Sequence, residues 1–267
     1  MLCVTRLRQS GAALLAAAVL VSLVPLLSLI PAVPADAAVD WRPRMAAAIA
    51  YAEGRSGSVS FAVKDAHGRF FSYRGVTTVP TASVLKVMFM AAYLRLGSVR
   101  DRALREGDRD LLRPMIIRSD DIAASRIADI VGPRRMYRLA RRANLRDFSY
   151  TRPWGSSRTS PRDQARLMFR LRRCLPDRHE AYALGLLNRI VESQRLGIGN
   201  VSTSDWRKHF KGGWGSGSGA VDHQVVRLEG PGHNRIGLAV MTTSSPSHRY
   251  ANRTLRGVFA RLLDGLP

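Results

Sequence analysis

The sequence predicts an α+β fold, an antiparallel sheet flanked by terminal helices plus an all-helical lobe. Three observations lead there. Strand-like segments cluster near the two ends of the chain, within residues 58–73 and 209–243. The stretch from about 97 to 200 reads as helical and arginine-rich, and helical spacing brackets the whole at residues 39–55 and 250–263.

In order, Val39, Trp41, Met45, Ala46, Ile49 and Ala50 recur at helical spacing and stop near Gly54. Ser58 to Val63 alternates as a strand, Asp65-Ala66-His67-Gly68 turns, and Arg69 to Tyr73 completes a hairpin. Val79 to Ala82 leads into Val84–Leu94, an apolar run that reads as a buried helix. Asp120 and Asp121 put acids at the start of a helix reaching Ile130, where they suit the helix dipole. Gly132-Pro133 breaks it, and Arg134 to Ala143 forms another. Ser160-Pro161 caps and opens a helix over Arg162–Leu175, and a further one covers Ala181–Ser193. Three strands follow, His209–Trp214, Val221–Glu229 and Arg235–Thr243, separated by glycine-rich turns. A closing helix runs from Tyr250 to Leu263. The length, 267 residues, suits one large domain or two intimately packed lobes, with the helical lobe inserted at about 97–200 of a 39–267 unit.

Arg6 and Arg8 precede the apolar stretch Ala12–Ile30, and Pro31, Pro34 and the small residues Ala35 to Ala38 follow. This layout predicts a signal peptide over residues 1–38, cleaved near Ala37 or Ala38, and a secreted protein; an uncleaved membrane anchor is the alternative. Cleavage removes Cys3 and leaves Cys174 alone, so no internal disulfide is expected. Cys174 is expected at a half-buried helix position, not as a nucleophile.

The net charge is +22, carried by 38 arginines and only four lysines, Lys64, Lys86, Lys208 and Lys211. Such a surface attracts polyanions non-specifically. For a secreted chain these are anionic wall polymers and lipid headgroups, although arginine-rich codon usage would give the same composition with no partner. A nucleic-acid partner is not expected, because an exported chain without a recognisable binding motif has no such role.

Lysine is retained in Ser83-Val84-Leu85-Lys86. Residues at i and i+3 share a helical face. A serine hydroxyl needs a base to become a nucleophile, and a partly buried lysine can lose its proton and serve, whereas arginine cannot. Ser119-Asp120-Asp121 and Lys211-Gly212-Gly213 follow in that order. Each has a plain reading alone: Ser83 or Ser119 as a helix cap, Lys86 or Lys211 as a solvated charge. Together the three segments resemble the set S-x-x-K, S-D-N and K-T-G, and the chain is similar to class A β-lactamase-type serine hydrolases of the secreted sort common in high-GC actinobacteria. The resemblance runs from about Ser58 to Leu263 and takes in Trp154 to Gln164, similar to the family's Thr-Thr-Pro helix start.

The resemblance implies a β-lactamase/transpeptidase-like fold whose motifs meet in a cleft between the lobes, and acyl transfer through Ser83. Lys86 would act as general base and Ser119 would relay a proton to the leaving nitrogen. Lys211 would bind a substrate carboxylate, and its charge would favour a neutral Lys86. The backbone N–H groups of Ser83 and Trp214 would form the oxyanion hole, and Gly212 and Gly213 would let substrate approach the strand. The substrate would be a β-lactam; a D-alanyl peptidase or another hydrolase of wall-derived amides or esters is the enzymatic alternative, and a weakly catalytic wall- or penicillin-binding module the non-enzymatic one. A small-molecule or peptidoglycan-derived substrate, a monomer, and no cofactor or metal are expected, since the six histidines show no ligand spacing.

Two departures qualify the resemblance. Asp121 stands where the family has asparagine, so a donor amide becomes a group that only accepts when ionised. The glutamate that activates the deacylating water is missing, since none occurs between Glu106 and Glu180. The candidate loop, Asn144 to Ser160, offers only Asp147, and Glu192 reads as an ordinary helix residue. Slow deacylation is therefore expected.

Overall fold

The computed structural model describes residues 39–266 except Ser204, Ser216 and Ser218. Residues 1–38, expected as a signal peptide, and with them Cys3, lie outside the described residues. Helix α1 (Trp41–Glu53) is capped by Asp40, whose carboxylate accepts the Arg42 N–H at 3.0 Å. Strands β1 (Ser58–Lys64) and β2 (Phe70–Tyr73) form the expected hairpin. Asp65 closes it, accepting both the backbone N–H and the guanidinium of Arg69 at 2.7 Å.

A short strand β3 (Val79–Pro80) leads to a 3-10 turn, Ala82–Leu85, and then to α2 (Lys86–Leu94). Every residue of α2 is buried, as its apolar run predicts. Around it pack α3 (Glu106–Ile117), α4 (Asp121–Ala143) and, beyond strand β4 (Arg158–Thr159), α5 (Pro161–Phe169), the helical turn α6 (Leu171–Cys174) and α7 (Asp177–Asn188) complete the middle of the chain. Gly132 breaks α4 at the expected place, with φ +66°, a conformation that glycine adopts without strain. Asp108 holds α3 to α2: it accepts from the Tyr93 hydroxyl at 2.8 Å, the Arg105 N–H at 2.7 Å and Arg102 at 2.6 Å. The buried carboxylate thus keeps its hydrogen bonds, and burial beside it pushes the Tyr93 phenol up to about 12.

Two helices differ from expectation. The one expected over Arg162–Leu175 is divided at Arg170, because Arg227 donates to the carbonyls of Met168 and Phe169 at 3.2 and 2.7 Å and takes them from the helical ladder. The one expected over Ala181–Ser193 begins four residues earlier, behind Pro176, and ends at Asn188. Beyond it the Val191 N–H donates to the Ile117 carbonyl at 3.1 Å, tying the chain to α3. Glu192 consequently lies in an exposed 3-10 turn, not in a helix. Cys174 is fully buried where half-burial was expected; desolvation pushes its thiol up to about 11, which leaves it inert as a nucleophile.

Strands β5 (Arg207–Trp214), β6 (Val221–Glu229) and β7 (Arg235–Thr243) and helix α8 (His248–Leu263) complete the fold. One antiparallel sheet runs β2-β1-β7-β6-β5, so the first hairpin pairs with the last strand, Val59 opposite Thr242. Central β7 is buried at every position from Ile236 to Thr242. Because side chains alternate across a strand, this means both faces are covered. Helix α5 covers one, while α1 and α8 pack against each other and on the sheet. Gly237 is required where α5 presses on β7: a Cβ there would lie 2.1 Å from the Ala165 carbonyl and 2.6 Å from the Phe169 N–H. Gly237→Ala should therefore cost about 1–3 kcal/mol through overpacking against rigid backbone, read as a lowered denaturation midpoint at unchanged slope.

Candidate active site

Ser83 is delivered by a constrained turn. Ala82 before it has φ +43°, outside the region an alanine prefers, and neighbours on three sides hold it there. The Thr81 N–H donates to the Ser157 carbonyl at 2.6 Å, β3 pairs with β4, and His223 on β6 reaches the Pro80 carbonyl at 2.9 Å. Burial holds the His223 imidazole down at about 4, so it is a neutral tether. From the fourth side comes β5, where a Cβ on Gly213 would lie 2.7 Å from the Val84 N and 2.8 Å from the Ser83 N. The expected reason for glycine here was room for a substrate. The structure adds another: Gly213 lets the sheet edge touch the Ser83 turn itself, while Gly212 has only ordinary contacts.

The second segment is shaped by α3. Pro114 lies inside that helix, and its carbonyl accepts the N–H groups of both Arg118 and Asp120 at 3.1 Å. This folds Ser119 into the left-handed region at φ +58°. Asp120, not Ser119, is the cap of α4, accepting the Ala123 N–H at 2.7 Å. The Ser119 side chain is thereby free to face the other two segments.

All three segments meet at that hydroxyl. Lys86 Nζ donates to Ser119 Oγ at 3.1 Å, and Lys211 Nζ donates to the same oxygen at 2.9 Å. A hydroxyl has two lone pairs and one proton, so two incoming donors leave the Ser119 O–H free to point at a substrate. Lys86 also donates to the Ser119 carbonyl at 2.6 Å and to Asp121 Oδ1 at 2.5 Å. Those three bonds use all three ammonium hydrogens, and none of them goes to the Ser83 hydroxyl. Lys211 also donates to the Gly212 carbonyl at 2.7 Å.

Both lysines are 0% exposed. Burial pushes both ammonium groups below the ordinary lysine range, but not equally. For Lys86 the hydrogen bond and charge of Asp121 oppose the desolvation. The face of Trp154, with its ring centroid 5.1 Å from Lys86 Nζ, also favours the cation. For Lys211 the charge of Lys86 adds to the desolvation, and the group falls well below 10.5. Asp121 thus supports the Lys86 cation directly, whereas Lys211 has no acid bonded to it among the described residues.

Asp121 is exposed at 76% of its side chain, unlike its partner. The sequence attaches no role to Trp154. It packs edge-on against Phe89 with centroids 5.7 Å apart and donates Nε1–H to Ser125 Oγ at 3.1 Å, so it joins the 144–160 loop to α2 and α4. Asp147, the one acid that loop offers, accepts the Ser160 hydroxyl at 2.6 Å. Asp163 nearby is buried and committed to the Arg146 and Asp147 N–H groups and to Arg166. Trp214 ends β5 half-buried, its ring 5.5 Å from that of His248. Among the described residues, no group of three or more His, Cys, Asp or Glu is placed to hold a metal ion.

Replacing Lys211 tests these electrostatics. Its lowered pKa means that, above the native value and below 10.5, the unfolded chain holds a proton the native state lacks, so stability gains a component that rises with pH in that window. Lys211→Met should abolish that slope and, near neutral pH, raise stability by about 1 kcal/mol, or Tm by about 2–4 °C for a domain of this size. Thermal melts across the pH range check both.

The chain matches the β-lactamase enzyme family over residues 108–264. No curated protein matches it. Solved structures similar to it include a β-lactamase from Sphaerobacter thermophilus, at 22% identity and TM-score 0.71, covering 84% of this chain and 97% of that one. An ancestral class A β-lactamase matches at 19% identity and TM-score 0.70, over 82% and 98% of the two chains. A β-lactamase from Xanthomonas campestris pv. campestris matches at 17% identity and TM-score 0.72, over 84% and 97%.

Proposed function

The chain belongs to the β-lactamase enzyme family, and from that premise we propose that it is an exported serine hydrolase that forms an acyl-enzyme through Ser83 and releases it slowly. The observation that carries the reading is the Ser119 hydroxyl shared by Lys211 and by Lys86, the lysine three residues on from Ser83. Few structural needs would bring two buried lysines to one oxygen, whereas proton relay does.

In this reading neutral Lys86 takes the Ser83 Oγ proton as Oγ bonds to the carbonyl carbon of a β-lactam. The resulting oxyanion is held by the N–H groups of Ser83 and Trp214; one such donor is worth about 10²–10³ in rate. The C–N bond then breaks, the leaving nitrogen takes the Ser119 hydroxyl proton, and Lys86 restores it. Lys211 meets the substrate carboxylate, whose negative charge draws a proton onto it. Deacylation requires a base for water, and the loop acid Asp147 is occupied by Ser160. Both steps are therefore slowed, the first by the Asp121 pair that keeps Lys86 protonated. Export, with residues 1–38 as its signal, completes the reading.

Intact-mass measurement during incubation with a penicillin tests it. A long-lived adduct, absent from Ser83→Ala, is expected. An adduct that forms and clears quickly would overturn the slow-release part, and no adduct would overturn the nucleophile assignment.

The pH dependence gives a second test. Acylation should rise with pH as Lys86 loses its proton. Asp121→Asn removes the charge that opposes this loss, so the rising limb should move to lower pH and acylation near neutrality should speed up by about tenfold. An unmoved limb would mean that Lys86 is not the base.

A further inference from the structure

A second site lies away from the lysine cluster, where α2 ends against the latter half of α4. A cavity of about 340 Å³ opens there, floored by Ala92, Leu96 and Leu139 and walled by Arg95, Arg100, Arg135, Arg138 and Arg142. No acid lines it. Arg135, Arg138 and Arg142 stand three and four residues apart on one face of α4, a spacing at which like charges repel. From Arg134 to Arg142 the helix carries five arginines and no acid, so nothing along it relieves the repulsion.

The compensation from elsewhere is partial. Arg100 pairs with Asp101 at 2.9 Å, and Asp177 reaches Arg95 with its field. Among the described residues Arg135 and Arg142 donate to backbone carbonyls, Arg135 to those of Ile130 and Val131 at 3.5 and 3.1 Å and Arg142 to that of Arg173 at 3.4 Å. Arg95 is half-buried at the cavity mouth, where desolvation and the neighbouring Arg142 weaken its hold on its proton. Arginine-rich codon usage accounts for arginine in place of lysine; it does not account for five guanidinium groups around one concavity. Planar forks of this kind bind phosphate oxygens in pairs.

We propose that this cavity is a binding site for successive phosphate groups of a soluble polyanion, such as a phosphodiester-linked polymer. The floor excludes water from one side and the forks supply donors from the others. Anchoring at this site leaves the Ser83 turn untouched, so the site holds the protein to a polymer without occupying its active centre. The inference does not depend on the hydrolytic reading.

Calorimetric titration of the full chain with inorganic tripolyphosphate near physiological salt provides the test. Arg95→Gln, Arg138→Gln and Arg142→Gln combined should weaken binding at least about tenfold, well beyond the loss from screening alone. The control combines Arg249→Gln, Arg253→Gln and Arg256→Gln, which removes equal charge from α8 and should change binding less than about twofold. Arg138→Glu, a single change at an exposed position, should reproduce most of the loss and stands in if the triple variant misfolds. Equal losses in both triples, or no binding by the parent, would overturn the proposal in favour of bulk charge. Vesicles of equimolar phosphatidylcholine and phosphatidylglycerol form the second arm. Loss on vesicles alone would overturn the soluble polymer and assign the headgroups of a lipid surface instead. Ser83 acylation should be unchanged in every variant, which separates this outcome from that of the proposed activity.

Discussion

One hydroxyl shared by two buried ammonium groups is the constraint on which the site rests. Bringing Lys86 and Lys211 to Ser119 places two like charges together away from water, which the fold tolerates only if their protons and counter-charges are managed. The rest of the local structure supplies that management. Pro114 folds the chain so that Ser119 turns inward, the start of α4 supplies Asp121, and the loop supplies the Trp154 face. Strand β5 brings Lys211 because the sheet ends there, with Gly213 allowing its backbone to rest on the Ser83 turn. These parts come from separate stretches of the chain, around residues 83–86, 114–121, 154 and 211–213.

Much of this was legible beforehand, for identifiable reasons. The strands β6 and β7 fall where the apolar pattern and the flanking glycines put them, and the uninterrupted run before Leu94 is the buried helix it reads as. The three motif segments could be picked out because lysine is scarce against so much arginine. What escaped depended on contacts between distant residues. Arg227 divides a helix 57 residues earlier in the chain by taking its carbonyls, and no local pattern announces this. The same holds for the different surroundings of the two lysines, since Asp121 hydrogen-bonds Lys86 and acts on Lys211 only through its field. Trp154 carried a faint signal, a large aromatic residue in a polar loop, but its partner Phe89 is visible only in the folded chain.

Charge is handled in two different ways in the molecule. Where arginine enters the interior, acids meet it: Glu229 pairs with Arg172 and Arg227, and His209 together with these two cations keeps its carboxyl well below the usual range despite burial. Asp163 and Arg166 form a similar buried couple at the start of α5. On the surface the excess is left to solvent, and at α4 it is gathered. The interior obeys the ordinary demand for neutrality, so the large net charge is a property of the surface and not of the core.

The pairing of β1 with β7 has a consequence for how the chain reaches this structure. Val59 lies against Thr242, so the sheet has no centre until almost the entire polypeptide is available. Its hairpin can form early, but two strands joined by one turn are unstable alone. The entropy of closing so long a loop falls due before the contacts that reward it, which makes such topologies slow to fold. A chain built this way cannot complete its sheet until the last strand arrives, and β5, which carries Lys211, is joined to the first hairpin only through β6 and β7.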